Sequence, residues 1–420
     1  MPNQFTASLW GDEAFSAILS MKPIPEIISI ISRDTSPPLY NLSEHLWFQV
    51  FGTSEIAIRS LSFFYYLIAV FFVYKIASHL WDKKTGLLAS FLTFFNPFFF
   101  IYAFEGRMYS ILAATVTASM YFFITQKWFG YVLATAAALY SHHFSIFAVF
   151  VQGLWFLKEF FMGKRKVAIS MLKSFTVVGI LYSPWLLPLY NQTKMVGGGF
   201  WLGTPTLKDL GKLLLTYLNI SLVVLITRAW KKNLDKSIFL VFWFIGPIFL
   251  TWLVSQKFSS IFFDRYLLYT IPAAMILAAS QRRKYSKYFM AITLISFFIA
   301  ATFYFTHPTK RPFQELASYV KGTRQNGDFI INWYSNGTHH IWETKYYEIP
   351  GPIYVSGGSE LPFFVGTALM EKGDIISELP KNLSRVGVVT SGPVEEISLP
   401  GYTKEEEKEF GSLKFLWLVK

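Results

Sequence analysis

No cysteine occurs in the 420 residues, which excludes disulfides, thiolate nucleophiles and cysteine-based metal sites, and leaves the redox compartment open. Charge is scarce too, at 15% Asp, Glu, Lys and Arg against about 25% in ordinary soluble domains. The opening residues MPNQFTASLWGDEAFS lack the basic stretch followed by an apolar one that marks a signal peptide. There is no internal repeat, no low-complexity segment and no His-x-x-x-His spacing of the kind that puts two metal ligands on one helical face.

What fills the chain instead is apolar: 53% of residues are hydrophobic and 19% aromatic. Apolar stretches of roughly 17 to 25 residues, the length that crosses a bilayer core, recur from Ile56 to Phe305. They predict spans near 56–80, 85–104, 107–126, 128–141, 144–162, 167–190, 207–227, 235–255, 265–280 and 287–305. The connecting segments then separate by charge. One alternate set carries Lys75, Lys83, Lys84, Lys127, Lys158, Lys164, Arg165, Lys166, Arg228, Lys231, Lys232, Lys236, Arg282, Arg283, Lys284 and Lys287. The other holds Arg107, Lys194, Lys257 and Arg265. The positive-inside rule assigns the first set to the cytoplasm. The 105–107 turn, the 191–206 and 256–264 loops, the N-terminal acidic pair and the C-terminal tail then share the outer face.

The net charge of +12 does not indicate nucleic acid as a partner. Residues 307–420 hold 12 basic and 14 acidic side chains, so the surplus lies among the spans. "PPLYNLSEHLWFQVFG" is too short and too polar to span. It reads as an interfacial helix with Leu39, Leu42, Leu46 and Val50 along one face and Pro37 and Pro38 in its first turn. Beyond His307, "PFQELASYVKGTRQNGDFIINWYS" predicts helix, turn and strand, and "GPIYVSG", "RVGVVTSG" and "LKFLWLVK" predict further strands. The expected fold is a polytopic α-helical membrane protein of about ten spans, with juxtamembrane helices in the first external loop and a small C-terminal α/β domain. The expected boundaries are 1–55, 56–306 and 307–420.

Five places could carry chemistry. Asp12 and Glu13 in "SLWGDEAFS" suit either a general base at the membrane surface or an acidic first helical turn. Glu105 and Arg107 in "YAFEGRMYS" lie at a predicted membrane boundary, where ionisable groups are functional candidates, or else form a loop ion pair. Arg59, one turn into a span, reaches either a phosphate or Glu55 four residues earlier. His142 and His143 in "YSHHFS" point apart on a helix, so at most one joins a site; a polar kink is the alternative. Lys257 and Arg265, with Asp264 and the aromatics of "SQKFSSIFFDRYLLY", suit a lipid-linked phosphate or ordinary interfacial anchoring.

Taken in order, "SLWGDEAFS", "RDTSPPLYNLSEHLWFQVFG", "EIAIRSLS", "NPFFFIYAFEGRMYS", "YSHHFS" and "FFDRYLLYTIP" resemble the GT-C membrane glycosyltransferases. The nearest group is the bacterial protein O-mannosyltransferase and aminoarabinose-transferase-like branch, over about residues 8–280. The resemblance implies a polyprenyl-phosphate sugar donor, a lipid, glycan or protein acceptor, and reaction at the outer face of a bacterial plasma membrane. It implies that the acidic residue of the first external loop, Asp12 with Glu13 beside it, is the base, and that Glu105 is the acid of the second loop. Arg107 adjoins Glu105, the arginine near the start of the following span corresponds to Arg59, and phosphate contact by Lys257 and Arg265 is a looser correspondence; Arg59, Arg107, His142, Lys257 and Arg265 are together the candidates for holding the donor phosphate. Glu105 either orients the acceptor or shares a divalent cation with Asp12. Members of this group begin with a span that this sequence does not show, so one N-terminal span is expected to be missing.

Two other classes fit parts of the pattern. A membrane scaffold with an external binding domain would have the same architecture. A transporter would need polar or broken helices near the midplane, whereas the ionisable residues here gather at span ends.

Overall fold

The computed structural model describes residues 3–229, 234–282, 287–335, 337–358 and 360–420. Lys231, Lys232, Arg283 and Lys284, assigned above to cytoplasmic loops, lie outside the described residues. The chain forms two compact units. One comprises residues 1–34, 41–58 and 307–420; the other comprises 35–40 and 59–306.

In the first unit, helix α1 (Gly11–Ser20) has both acids in its first turn, where they complement the helix dipole. The Trp10 amide donates to Glu13 Oε2 at 3.4 Å, half of a capping box. Helix α2 (Ile24–Ile31) follows with Pro25 in its opening turn. Helix α3 (Leu39–Phe51) carries its polar residues toward α1. Ser20 Oγ donates to the buried Glu44 at 2.7 Å, Asn41 Nδ2 donates to Ser20 Oγ at 3.0 Å, and His45 Nδ1 lies 2.9 Å from the Ser20 carbonyl. Its Leu46 and Val50 are exposed, as an interfacial helix requires.

The same unit contains one six-stranded sheet in the order β3-β2-β1-β4-β6-β5. The strands are β1 (Phe329–Trp333), β2 (Ile353–Tyr354), β3 (Ile375–Ile376), β4 (Arg385–Thr390), β5 (Thr403–Phe410) and β6 (Leu413–Val419). β3, β2, β1 and β4 run parallel; β6 pairs antiparallel with both β4 and β5. Burial on both faces explains the unbroken apolar runs of the central strands. The helix Phe313–Thr323 packs Phe313, Leu316, Ala317 and Val320 on one face against Ile330, Val389, Phe415 and Trp417. On the other face Ile331, Val388, Leu416 and Leu418 pack with Leu399. Asn332 is buried within β1, where its Nδ2 donates to the Gly351 carbonyl at 2.6 Å and to Thr344 Oγ1 at 3.1 Å. Gly351 lies so close to β1 that a Cβ there would clash with the Ile330 carbonyl.

The second unit is helical at every stretch where a span was predicted. Among the described residues, Glu55–Leu80, Arg165–Gly197, Ser237–Val254 and Tyr288–Thr306 are long and apolar enough to cross a membrane. A fifth span results if Lys83–Phe94 and Pro97–Phe104, bent by 61°, act as one. Asn96 produces that bend: it accepts from the Phe99 amide as an N-cap, with Pro97 next in the first turn. Exposed Phe64, Leu67, Phe71, Ile292, Ile295, Ile299 and Phe303 cover the long helices with the surface lipid demands. Inside, Ser119, Thr135, Tyr131 and Gln152 form a closed polar network with distances of 2.7 to 2.9 Å, one of the ways membrane helices are joined. At one end of the bundle Arg282 donates to Asp82 Oδ2 at 2.7 Å, joining two turns that the charge pattern assigns to the same side.

Candidate active site

The acidic pair divides sharply. Glu13 is fully buried and its Oε2 lies 3.4 Å from Lys310 Nζ. Lys310 in turn sits over the Trp10 ring at 5.2 Å. Asp12, one residue earlier on the helix, is half-exposed. Glu13 therefore anchors the start of α1, while Asp12 has the access a base requires. The Leu9 amide donates to Tyr347 Oη at 2.8 Å, which reaches Glu55 Oε1 at 3.0 Å; the Gln314 amide donates to Ser8 Oγ at 3.0 Å. Phe15 meets Trp342 edge-on at 5.4 Å. Residues 8–15 are thus held by the C-terminal part of the chain, a support that no short motif around Asp12 announces.

In the second unit the loops predicted to share a face converge at one end. His143 Nε2 lies 2.7 Å from Gln192 Oε1, and Gln192 Nε2 donates to the Ser36 carbonyl at 3.3 Å. Gln256 donates to the Pro205 carbonyl at 2.8 Å, Ser259 donates to that of Gly197 at 3.2 Å, and Trp201 meets Phe263 at 5.2 Å.

Within this end Glu105 is buried, and Ser62 Oγ donates to its carbonyl at 2.5 Å. The Arg107 amide closes the turn on that carbonyl at 2.7 Å. Ser62 stands three residues after Arg59 on the helix Glu55–Leu80, and Arg59 is fully buried. Glu55, its candidate partner, has Oε1 engaged by Gln314 at 2.7 Å and by Tyr347. Arg265 lies over Phe263 at 4.5 Å and Tyr109 at 5.9 Å. Tyr109 packs between Tyr102 and Tyr266, and the His142 ring lies 5.0 Å from Tyr266. Asp264 Oδ1 accepts from the Arg265 amide at 2.7 Å, and Tyr217 Oη donates to the Asp264 carbonyl. Asn96 Nδ2 donates to the Tyr217 carbonyl at 2.8 Å, so a buried chain of hydrogen bonds fixes the turn that carries Arg265.

His142 is uncharged. Burial pushes its pKa down to about 3, helped by His143 and the positive charge of Arg107; burial likewise lowers His143 to about 4, against the hydrogen bond that its Nε2 donates to Gln192 Oε1. The Phe144 amide donates to His142 Nδ1 at 3.1 Å, so the ring proton sits on Nε2. What His142 can offer a phosphate is a hydrogen bond, not a charge. The stability contributed by keeping these rings neutral is complete above about pH 6.5, the unfolded value, and is lost as the pH falls toward the folded values. His142→Gln is accordingly expected to leave the shape of the activity profile unchanged between about pH 5 and 8. An inflection near pH 6 in the parent that vanishes in the variant would contradict a neutral ring.

Arg59, Glu105, Arg107, His142 and Arg265 belong to this second unit, in which Glu105, Arg107, His142 and Arg265 share one end. Lys257 does not join them by contact: it is exposed after the helix Leu234–Val254, and its side chain has no hydrogen bond or ion pair among the described residues. Tyr102, Tyr109, Tyr266 and Gln192 were not singled out from sequence. The tyrosines flank the "FEGR" and "DR" pairs and were legible as neighbours; Gln192 carries no signal in a 12-residue helix. Among the described residues no three His, Asp or Glu side chains gather in a way that could hold a metal ion.

The sequence of residues 35–187 matches the family model for dolichyl-phosphate-mannose-protein mannosyltransferase. No curated protein matches the chain. In structure it is similar to ArnT from Cupriavidus metallidurans in the apo state, with a TM-score of 0.73, 12% identity, and coverage of 98% of this chain and 94% of that one. The same protein bound to undecaprenyl phosphate aligns with a TM-score of 0.71 and 12% identity, covering 99% and 94%. The Archaeoglobus fulgidus oligosaccharyltransferase in the apo form aligns with a TM-score of 0.54 and 11% identity, over 83% of this chain and 60% of that one. The chain has the fold of ArnT, a helical part with helices long and apolar enough to cross a membrane and a small C-terminal sheet domain, and its residues 35–187 match the mannosyltransferase family model.

Proposed function

We propose that the protein transfers a sugar from a polyprenyl-phosphate donor to an acceptor hydroxyl at the extracytoplasmic face of a bacterial plasma membrane. The observation that carries this reading is Arg265 over the Tyr109 and Phe263 rings, with Tyr102 and Tyr266 packed on Tyr109 and with Arg107 close enough to His142 to act on its charge, at one end of the helical unit. Arginines beside aromatic rings suit the phosphate of a lipid whose chain stays in the bilayer. Its support from outside is the match to ArnT, which was solved with undecaprenyl phosphate bound.

The proposed reaction is a single displacement. Asp12 takes the proton of the acceptor hydroxyl as that oxygen forms a bond to the anomeric carbon. The bond from that carbon to the phosphate oxygen breaks on the opposite side, inverting the centre. The polyprenyl phosphate leaves with its growing charge held by Arg107 and Arg265, with Arg59 and Lys257 as further cations and His142 as a neutral donor. Glu105, buried in the turn that carries Arg107, orients the acceptor. Along the chain, residues 1–55 supply the base, 56–306 the donor site and 307–420 an external domain.

The test uses purified protein in detergent with polyprenyl-phosphate sugars and candidate acceptors, following release of polyprenyl phosphate. Acceptor-dependent release is the expected result. A donor panel that stays intact with folded protein contradicts the reading and favours the scaffold.

A further inference from the structure

The sheet reverses its strand order at one place. From β1 the chain moves outward through β2 to β3, then returns to place β4 on the other side of β1. Crevices outside the carboxyl ends of parallel strands at such a switch point are where open sheets hold ligands. Ser391 follows β4 directly, and the loop after β1 leads to His340.

Three side chains line up there. His340 Nε2 is 2.9 Å from Ser391 Oγ, and His340 Nδ1 is 3.3 Å from Glu343 Oε1. His340 and Glu343 are 2% and 3% exposed, whereas Ser391 is half-exposed. One tautomer satisfies both contacts: with the proton on Nδ1, the ring donates to the carboxylate and Nε2 accepts from the serine hydroxyl. The opposite tautomer sets the Nδ1 lone pair against a carboxylate oxygen. Glu343 is held by the short helix Ile341–Tyr346, and its Oε2 is buried with no hydrogen-bond partner among the described residues. Leaving a carboxylate oxygen so is costly, and a protonated imidazole beside it would recover part of that cost. Gly392 permits the close approach of the two loops, since a Cβ there would lie 2.6 Å from Ser335 Oγ. The glycosyl-transfer reading uses none of these residues.

We propose that Ser391, His340 and Glu343 form a second reactive centre, in which Ser391 is a base-activated nucleophile toward carboxylic esters. His340 Nε2 takes the hydroxyl proton as Ser391 Oγ bonds to the carbonyl carbon. The ester C–O bond breaks and the alcohol leaves with that proton. Water, deprotonated by the same nitrogen, then attacks the acyl-serine, and the carboxylic acid and free Ser391 are released. Glu343 fixes the ring and stabilises its charged form.

The full chain in detergent is treated with a fluorophosphonate, and separately with p-nitrophenyl butyrate. A phosphonyl adduct on the Ser391 peptide is expected, formed about 100-fold or more slowly in His340→Gln, as loss of a general base implies. Nitrophenol release is expected to stop in Ser391→Ala, whose half-exposed position tolerates the change. If His340→Gln fails to fold, Glu343→Gln retains shape and is expected to slow the adduct as well. A folded parent without an adduct at Ser391, or equal rates in parent and variants, would overturn the proposal and reduce the three residues to a structural hydrogen-bond network.

Discussion

Asp12→Asn is expected to lower kcat for sugar transfer by about 10²- to 10⁴-fold, the range a positioned general base contributes. The donor KM should change little, because the donor contacts are assigned to other residues. Asparagine keeps the size of the side chain and its place in the first turn of α1, and Asp12 is half-exposed, so thermal stability should hold. Glu13→Gln is the comparison that gives the result its meaning. Glu13 is buried against Lys310 at 3.4 Å, so a loss there should come with a lower melting temperature. Equal kcat in parent and Asp12→Asn would remove Asp12 as the base and move the role to Glu13 or Glu105.

Arg107→Gln is expected to cost about 10²- to 10³-fold in kcat, the loss seen when one preorganised donor to a developing anion is removed. The donor KM should rise with it, since the ground-state phosphate loses the same contact. Arg107→Lys should restore only part of the rate, because an ammonium cannot present the planar fork of a guanidinium. Steady-state kinetics with donor and acceptor varied separately distinguish this from a folding defect. An unchanged KM and kcat in Arg107→Gln would show that the phosphate is held elsewhere, with Arg265 over Tyr109 as the nearest alternative.

Some of this was legible in the sequence for physical reasons. Span-length apolar runs and alternating basic loops arise from the bilayer itself, so the helical stretches could be read one by one. The central strands were legible because sheets buried on both faces need continuous apolar runs, as in "RVGVVT" of β4 and "LKFLWLV" of β6. β5 escaped because "TKEEEKEF" is exposed along nearly its whole length. Its charge protects an edge and leaves no hydrophobic period to detect. The helix Ile341–Tyr346 escaped because six residues are too few for periodicity. Among the candidate residues, ionisable groups among apolar ones stood out: Asp12 in the first unit, and Glu105, Arg107 and Arg265 in the second, needed only their scarcity. Their supports did not stand out. Lys310 is 297 positions from Glu13, and Asn96 is 121 from Tyr217; no local pattern encodes such pairings.

The account turns on a lipid-linked donor and a carboxylate base. The most direct measurement compares one labelled sugar, presented on polyprenyl phosphate or on a nucleoside diphosphate, in membranes containing the parent protein or Asp12→Asn at matched expression. The account predicts labelled acceptor from the polyprenyl-phosphate donor with the parent alone. Label arriving equally from the nucleotide donor, or equally with Asp12→Asn, would contradict it.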